Sequence, residues 1–288
     1  MGKVLEGRVA LVTGATNGIG RVTAREFARM GARTFLVARD PARGDAAARE
    51  IRDATGATVE VLVADLSSRA EVRGLAIGVR ERTGRLDLLV NNAGAIFAER
   101  RTSVDGVEMT LALNHLAYFL LTLELLPLLE AAPDARVVNV SSMAHEHGSI
   151  DFADLQLERR YGMWKAYAQS KLANVLFTRE MARRLSGSRI TANALHPGSV
   201  ATGFGRNHPG FFGKLVAIGA PFLASPERGA RTTLHVATAP GLRGITGKYF
   251  SACRERAPSR AALDGATALR LWQISEAMTQ PTTRLPPP

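Results

Sequence analysis

The sequence has little that would take the chain outside a reducing, aqueous compartment. Cys253 is the only cysteine among the 288 residues, so no disulfide can form within the chain. No apolar run reaches the roughly 18–20 residues that a membrane-spanning helix requires. The richest stretch, residues 116–129, is interrupted by Glu124 and Pro127, and the first residues lack the apolar segment of a secretory signal. We therefore expect a cytoplasmic protein with no membrane anchor.

Aromatic residues are also scarce, at 6% of the chain, whereas basic residues give a net charge of +11. Surfaces that bind nucleic acid cluster basic residues and often interleave them with aromatic ones. Here the arginines are spread along the whole sequence, and no tract alternates basic with aromatic residues. The charge is typical of a solvated basic surface, and we expect no nucleic-acid partner.

Metal ligands are sparse too. His145, Glu146 and His147 could contribute to a metal site, but the sequence offers no evident third and fourth ligand. We therefore predict no metal and assign this segment to a loop or to the substrate pocket. For Cys253 we expect a packing role.

What the sequence does contain is a regular alternation of apolar strands and helices. Predicted strands cover residues 8–12, 34–38, 59–64, 86–90, 137–140, 190–195 and 248–250; predicted helices cover residues 18–30, 71–82, 104–126, 163–185, 226–237 and 261–278, and another begins at Pro41. Nearly continuous apolar strands indicate a parallel sheet that is buried on both faces. The pattern predicts an α/β fold of the doubly wound, Rossmann type. We expect about seven strands, helices on both faces, and ligands at the carboxyl ends of the strands.

A single domain accounts for residues 1–279. Within it, residues 199–222 form an insertion rich in glycine and phenylalanine beside the expected active edge. Residues 280–288 are proline-rich, and we expect them to form a disordered tail.

A glycine-rich turn joins the first strand to the first helix. Its glycines follow the spacing Gly-x-x-x-Gly-x-Gly. Such glycines permit a tight turn, leave room for a pyrophosphate and let the helix pack closely on the sheet. Free amides and the positive end of the helix dipole then favour phosphate groups. We predict a dinucleotide site that includes Gly14, Thr16, Asn17, Gly18, Ile19 and Gly20.

The end of the second strand indicates which dinucleotide binds. An acidic residue at this position normally holds the ribose hydroxyls of NAD, whereas an arginine accommodates the 2′-phosphate of NADP. In this sequence Arg39 comes first after the strand and Asp40 second. The planar guanidinium of Arg39 suits a phosphate, so we predict NADP(H) as the cofactor.

The order and spacing of several short motifs resemble the short-chain dehydrogenase/reductase family over nearly the whole chain. The motifs are Thr13-Gly14-x-x-x-Gly18-x-Gly20, Asp65-Leu66, Asn91-Asn92-Ala93-Gly94, Asn114, Ser141-Ser142, Tyr167-x-x-x-Lys171 and Pro197-Gly198. Within the family, residues 139–145, 170–177 and 247–251 are most similar to the retinol dehydrogenase group and its soluble bacterial relatives.

This resemblance implies how a nicotinamide cofactor is held. By it, Asp65 contacts the adenine, Asn91 lines the adenosine side and Lys171 holds the nicotinamide ribose, while residues 196–202 hold the carboxamide. The implied cofactor site also includes Leu66, Ala93, Gly94, Tyr167, Pro197, Gly198, Val200 and Thr202. Members of the family are often dimers or tetramers, so a homodimer and a homotetramer both stay open here.

The candidate catalytic groups are Asn114, Ser142, Tyr167 and Lys171. Tyr167 and Lys171 are four residues apart and so project from one face of a predicted helix. An ammonium within a few ångströms favours the phenolate and lowers the tyrosine pKa from about 10 toward neutrality. The resemblance adds Ser142 as a hydrogen-bond donor to the reacting oxygen and Asn114 as the holder of a proton-relaying water. Tyr167 would then exchange a proton with a carbonyl or alcohol oxygen during hydride transfer.

The predicted substrate is a small-molecule ketone, aldehyde or secondary alcohol of apolar character, because phenylalanines recur beside the active edge. Candidate substrate contacts are Met143, His145, Trp164, Phe204 and Phe211. Three alternatives stay open: a ketoreductase that tailors a polyketide or another secondary metabolite, a reductase of carbon–carbon double bonds, and a non-catalytic NADP(H) sensor or scaffold.

Overall fold

A computed structural model describes residues 3–198 and 225–286. Within these ranges one sheet contains eight strands in the order β3-β2-β1-β4-β5-β6-β7-β8. The strands are β1 (Val9–Thr13), β2 (Arg33–Ala38), β3 (Val59–Val63), β4 (Leu88–Asn91), β5 (Ala135–Val140), β6 (Ile190–His196), β7 (Tyr249–Ser251) and β8 (Arg254–Arg256). All neighbours pair in parallel except β7 and β8. This topology confirms the predicted doubly wound fold.

Helices cover both faces of this sheet. Numbered along the described residues, they are α1 (Gly18–Arg29), α2 (Pro41–Thr55), α3 (Arg69–Arg80), α4 (Met109–Leu111), α5 (Ala117–Glu124), α6 (Leu126–Glu130), α7 (Met163–Arg184), α8 (Pro226–Thr238), α9 (Arg260–Leu263) and α10 (Gly265–Thr279). Alternate residues of β1 enter separate apolar clusters: Val9 and Leu11 belong to one, and Ala10 and Val12 to the other. None of the described helices combines the length and the apolarity that a membrane crossing requires.

The strand order reverses at β1, which has β2 on one side and β4 on the other. In a sheet of this kind, the connections after such strands diverge and leave a crevice at the carboxyl edge. The turn after β1 and the segment after β4 both border this crevice.

The eighth strand is a correction to the predicted number of about seven. The three residues of β8, Arg254–Arg256, are all charged and exposed, so no apolar pattern marks them as a strand. The strand forms because Ala252 and Cys253 adopt positive φ values of 50° and 59°. Two such residues make a tight hairpin turn that brings β8 back along β7.

The helix predicted over residues 104–126 is also different in the structure. It begins at Met109, where the buried Glu108 carboxylate accepts hydrogen bonds from the amides of Thr110 and Leu111 at 2.8 and 2.7 Å. It then widens into a π-helical turn, Ala112–Leu116, and ends at Glu124. A side-chain cap and a wide turn are local features that the apolar periodicity does not reveal.

The beginning of the tail is packed against the domain, which differs from the disorder predicted for residues 280–288. Arg73 Nη2 donates to the carbonyl oxygen of Gln280 at 2.8 Å, and Arg184 Nη1 donates to that of Leu285 at 3.2 Å. The Leu285 side chain is 6% exposed and belongs to the same apolar cluster as Trp272. The partners of this segment lie far away in the sequence, so its proline-rich composition alone gives no sign of them.

Replacing Leu285 with alanine tests whether this segment belongs to the folded domain. Removal of a buried leucine side chain costs about 2–5 kcal/mol in a well-packed core. We expect Leu285→Ala to lower the free energy of unfolding by about 2 kcal/mol in urea denaturation. Leu263→Ala, at a leucine that is 48% exposed, should change it by less than about 0.5 kcal/mol. Equal and small effects at both positions would mean that the segment does not pack in solution.

Candidate active site

The glycine turn lies in close contact with the segment after β4. Gly14 has a φ of +64°, and a Cβ atom built on it would lie 2.8 Å from Ala93 Cα. A Cβ on Gly20 would lie 2.4 Å from the carbonyl oxygen of Gly14. Both positions therefore exclude a larger residue, and the turn is held against β4 at backbone distance.

The N-terminus of α1 opens into the crevice without a side-chain cap. Asn17 is exposed and extended, and no side chain among the described residues caps this end of the helix. The first helical turn also contains no acidic residue. Its amides, next to the half-buried Thr16 and the buried Ile19, can therefore receive an anion.

Arg39 and Asp40 differ in what they contact at the end of β2. Asp40 Oδ1 accepts a hydrogen bond from Arg43 N at 3.0 Å and so caps α2. Arg39 is exposed and makes no hydrogen bond or ion pair with any residue that the structure describes. The Arg39 guanidinium is therefore available to a ligand in the crevice, whereas the Asp40 carboxylate is already engaged in capping α2.

Asp65 and Leu66 follow β3 along the same edge of the sheet. Asp65 Oδ1 accepts from the amide and the hydroxyl of Ser67, at 2.9 and 2.7 Å. Leu66 is buried. These contacts hold the segment at the carboxyl end of β3.

Ser142, Tyr167 and Lys171 come together where β5 ends against α7. The Ser142 and Tyr167 side chains share a hydrogen bond. Lys171 Nζ lies 5.6 Å from the centroid of the Tyr167 ring and donates to the carbonyl oxygen of Val140 at 3.0 Å. A Cβ on Gly94 would lie 3.5 Å from the same Nζ. The three groups therefore lie beside the crevice that the glycine turn borders.

Ser141 and Ser142 have different surroundings. The Ser141 hydroxyl is buried and donates to the carbonyl oxygen of Lys171 at 2.7 Å. Ser142 Oγ accepts from the amide of Ala144 at 3.2 Å, which leaves its hydrogen free to be donated. Of the two, Ser142 is the one that meets Tyr167.

Comparisons with known proteins agree with this arrangement. A family model described as short chain dehydrogenase matches residues 8–209. Retinol dehydrogenase 12 of Homo sapiens is 46% identical over 272 residues, which cover 94% of this chain and 86% of that protein.

The chain belongs to the short-chain dehydrogenase family. It is accordingly an oxidoreductase of a family that binds a nicotinamide cofactor, and the predicted resemblance to retinol dehydrogenases is confirmed. Among solved structures, an uncharacterised protein of Mycobacterium paratuberculosis has a TM-score of 0.79 at 38% identity, covering 98% of this chain and 96% of its own. RhlG of Pseudomonas aeruginosa, solved as an NADP active-site complex, has a TM-score of 0.69 at 32% identity, covering 85% of this chain and 94% of its own.

In this short-chain dehydrogenase, Asn91 has other contacts than the adenosine contact expected of it. Its side chain is completely buried, and Nδ2 donates to Thr122 Oγ1 at 3.0 Å and to Asn139 Oδ1 at 2.9 Å. Asn91 therefore ties β4 to β5 and α5. The neighbouring Asn92, which the sequence analysis did not single out, holds the glycine turn by donating to the carbonyl oxygen of Thr13 at 2.9 Å.

The Asn114 side chain bridges the segment after β4 and helix α7. Its Oδ1 accepts from the amide of Ala95 at 2.9 Å, and its Nδ2 donates to the carbonyl oxygen of Ala95 at 2.9 Å and to Ser170 Oγ at 3.1 Å. Both ends of the amide are thus paired within the protein. The role of Asn114 as the holder of a water stays a prediction.

The candidate substrate contacts fall into two groups. Met143 and Trp164 are 53% and 58% exposed, and the Trp164 ring lies 6.3 Å from that of Tyr167. His145, by contrast, is completely buried: Nδ1 lies 2.8 Å from the carbonyl oxygen of Ser142, and Nε2 accepts from the amide of Ser259 at 3.2 Å. His145 therefore supports the Ser142 segment, and its burial differs from the exposed position expected of a substrate contact.

The remaining predicted residues lie at or beyond the edge of the described chain. Pro197 and Gly198 are described, and Gly198 has a positive φ of +94°. Val200, Thr202, Phe204 and Phe211, with the rest of the 199–222 insertion, lie outside the described residues. Over residues 3–198 and 225–286, no three His, Cys, Asp or Glu side chains come together to hold a metal ion.

The charges at the site differ from the expected ammonium beside a phenolate. Burial raises the pKa of Tyr167 to about 12, although the hydrogen bond from Ser142 acts in the opposite direction. Burial also lowers the pKa of Lys171 to about 7. The physical reason is that Nζ has a neutral carbonyl partner, and no carboxylate of the described residues pairs with it. Near pH 7 the Tyr167 phenol therefore keeps its proton, while the Lys171 amine divides between its charged and neutral forms.

The low pKa of Lys171 has a measurable effect on stability. An unfolded lysine titrates near about 10.4, so between pH 7 and about 10.4 the unfolded chain binds the extra proton. The contribution of Lys171 to the free energy of unfolding therefore rises with pH across this window. We expect the difference between wild type and Lys171→Met in urea denaturation to grow in favour of wild type from pH 7 to pH 10. Lys165→Met, at an exposed lysine on the same helix, should give a constant difference. A constant difference for Lys171→Met as well would contradict the lowered pKa of Lys171 in the folded protein.

Proposed function

We propose that this short-chain dehydrogenase is an NADP(H)-dependent carbonyl reductase or alcohol dehydrogenase for an apolar ketone, aldehyde or secondary alcohol. The observation that carries the proposal is the convergence of three groups at the carboxyl edge of the sheet. The Ser142 and Tyr167 hydroxyls share a hydrogen bond, and Lys171 Nζ lies 5.6 Å from the same ring.

The residues around the crevice suit NADP(H) in charge and shape. The uncapped N-terminus of α1 suits the pyrophosphate. Arg39 suits the 2′-phosphate, because its guanidinium is exposed and unpaired within the described residues while Asp40 already caps α2. The NADP complex of RhlG supports the same preference. A bound nicotinamide supplies or accepts the hydride.

Other parts of the cofactor have candidate partners along the edge. We propose Asp65 for the adenine, with Leu66 beside it in the cofactor site, Lys171 for the nicotinamide ribose, and residues 196–202 for the carboxamide, with Val200 and Thr202 among them. Each assigned residue that the structure describes comes at or after the carboxyl end of a strand or from α7.

In the reductive direction, Tyr167 gives its hydroxyl proton to the substrate carbonyl oxygen. A phenol with a pKa raised to about 12 stays protonated near neutrality, which is the form that a proton donor needs. Ser142 donates a hydrogen bond to the same oxygen and stabilises its developing negative charge. In the oxidative direction, Tyr167 receives the proton of the alcohol.

Lys171 acts on Tyr167 through its charge. With a pKa of about 7, Nζ can gain or lose a proton near neutrality. A protonated Nζ favours the phenolate and so lowers the pKa of Tyr167, which eases release of the proton as the reaction proceeds. With Nζ protonated, proton donation to the substrate takes the pair from ammonium and phenol to ammonium and phenolate, and the charge on Nζ stabilises the phenolate.

An apolar substrate suits the exposed side chains at the mouth of the site. Trp164 presents an exposed apolar surface next to Tyr167, and Met143 presents another directly after Ser142. Exposed apolar groups that lie together often mark a binding surface. The similarity to retinol dehydrogenase 12, whose named substrate is an apolar alcohol, supports the same substrate class.

Turnover of a panel of carbonyls tests the proposal. NADPH oxidation is measured with retinal, aliphatic aldehydes and aromatic ketones, beside a β-keto thioester and an α,β-unsaturated ketone. On the best substrate, Tyr167→Phe should lower kcat at least about 100-fold, because general acid catalysis by one side chain contributes about 10²–10⁴. The Kd for NADPH, followed by fluorescence, should stay the same.

Tyr161→Phe is the matched control for this variant. The Tyr161 hydroxyl donates to the carbonyl oxygen of Phe97 at 2.8 Å, outside the candidate catalytic groups, so its removal should leave kcat nearly unchanged. Preference for the β-keto thioester would favour a tailoring ketoreductase, and preference for reduction of the double bond would favour an enoyl-type reductase. NADPH binding without turnover of any compound would favour a sensor and contradict the proposal.

Arg39→Ala tests the choice of cofactor. A charge-assisted hydrogen bond contributes about 1.5–3 kcal/mol, so the variant should lose about ten- to a hundredfold of its preference for NADPH over NADH. The measurement is kcat/KM with each cofactor. Arg43→Ala, at an exposed arginine in the first turn of α2, is the control and should keep the wild-type ratio. An unchanged ratio in Arg39→Ala would rule out Arg39 as the 2′-phosphate partner.

A further inference from the structure

A second line of buried polar side chains connects the C-terminal helix to the candidate site. Ser275 on α10, His115 in the π-helical turn and Asn174 on α7 are each at most 1% exposed. The Ser275 hydroxyl lies 2.9 Å from His115 Nε2, and His115 Nδ1 lies 3.4 Å from Asn174 Oδ1. Asn174 Nδ2 donates to the carbonyl oxygen of Asn114 at 2.9 Å. Three links thus join α10 to Asn114, and none of them passes through Ser142, Tyr167 or Lys171.

The direction of these hydrogen bonds follows from the chemistry of the groups. Asn174 Oδ1 can only accept, so the hydrogen of the neutral imidazole must be on His115 Nδ1. Nε2 then accepts from the Ser275 hydroxyl. Burial lowers the pKa of His115 to about 4, so the ring is neutral near pH 7. Each link therefore orients the next, from Ser275 to Asn114.

This series of hydrogen bonds ends on the turn that forms one wall of the site. Asn114 lies in the π-helical turn Ala112–Leu116, a rare geometry that is wider than an α-helical turn. Its side chain bridges Ala95 and Ser170. A Cβ built on Gly94 would lie 3.1 Å from Asn114 Oδ1 and 3.5 Å from Lys171 Nζ. Displacement of the turn would therefore change the space around the Lys171 amine.

We propose that Ser275, His115 and Asn174 are positioning residues for proton transfer, because they hold the wide turn that sets Asn114 against Ser170 and, across Gly94, beside Lys171. The effect that we expect on turnover rests on the proposed function. The effect that we expect on the surroundings of Lys171 does not depend on that function. Because buried polar groups must be paired in any folded protein, the test needs readouts that a purely structural network would leave unchanged.

The first readout is turnover in variants of Ser275, the residue at the end of the hydrogen-bond series that lies farthest from the reacting groups. Ser275→Ala removes the hydroxyl and leaves His115 Nε2 without its donor, whereas Ser275→Thr keeps a hydroxyl. We expect Ser275→Ala to lower kcat about tenfold, with KM for the carbonyl and Kd for NADPH within about twofold of wild type. Ser275→Thr should restore most of the loss.

The second readout is the titration of Lys171 in the cofactor-free protein. The chain has only five lysines, so the carbon-13 resonance of Lys171 can be assigned by its loss in Lys171→Met. Among the described residues, the titratable groups that face Nζ are the rings of Tyr167 and Tyr118, at 5.6 and 5.9 Å. The pKa of Lys171 is about 7 because the amine is buried. We expect it to rise in Ser275→Ala, since a loosened wall admits water to Nζ.

Thr178→Val is the matched control. Thr178 on α7 is completely buried, and its hydroxyl accepts from Asn139 Nδ2 at 2.9 Å and donates to the carbonyl oxygen of Asn174 at 2.6 Å. This variant also loses buried hydrogen bonds, so Tm should fall, but kcat and the Lys171 titration should not change.

Two results would overturn the inference: Ser275→Ala lowers Tm alone, or Thr178→Val reproduces the effects of Ser275→Ala on both readouts. Full turnover in Tyr167→Phe would instead refute the proposed function. In that case the Lys171 titration in Ser275→Ala still decides whether the hydrogen bonds from Ser275 to Asn114 set the surroundings of the Lys171 amine.

Discussion

The site depends on a reciprocal contact between α7 and the end of β5. Lys171 Nζ donates to the carbonyl oxygen of Val140 at 3.0 Å, and Ser141 Oγ donates to the carbonyl oxygen of Lys171 at 2.7 Å. These two bonds fix how far α7 can slide or rotate along the strand. Ser142, the next residue of the chain, then meets Tyr167, which lies one helical turn before Lys171. The hydroxyl pair is therefore a consequence of how the lysine is anchored.

The same anchor determines the charges at the site. It takes the Lys171 amine out of water and gives it a neutral oxygen as partner, which lowers the pKa of Lys171 to about 7. A carboxylate partner would have kept the amine charged through the whole physiological range. Tyr167, half-buried beside it, keeps its proton. A site built in this way holds the proton that the reductive direction of the proposed reaction consumes.

The features that could be predicted from the sequence are those that depend on residues close together in the chain. The glycine turn is contained in residues 14–20, and Tyr167 and Lys171 share a helix face because they are four residues apart. The contacts that the sequence does not reveal depend on distant partners. Asn91 is held by Asn139, 48 residues away, and His145 by Ser259, 114 residues away. No local pattern in the sequence indicates such a partner. Nothing near these two residues in the sequence therefore argues against the adenosine and substrate roles expected of them.

Helix α7 shows most clearly why burial cannot be read from polarity alone. Ser170, Asn174 and Thr178 recur every four residues, a pattern that is typical of a solvent-facing stripe. In the folded protein this stripe is buried, and its groups bond to partners on other elements: Asn114 in the π-helical turn and Asn139 on β5. A buried polar stripe costs free energy unless every group is paired. The pairing in turn restricts the helix to one rotation about its axis, since apolar contacts alone would allow several. Two of the residues that make α7 look solvent-exposed, Ser170 and Asn174, therefore bond to Asn114 and hold this part of the helix, with Tyr167 and Lys171, against the π-helical turn.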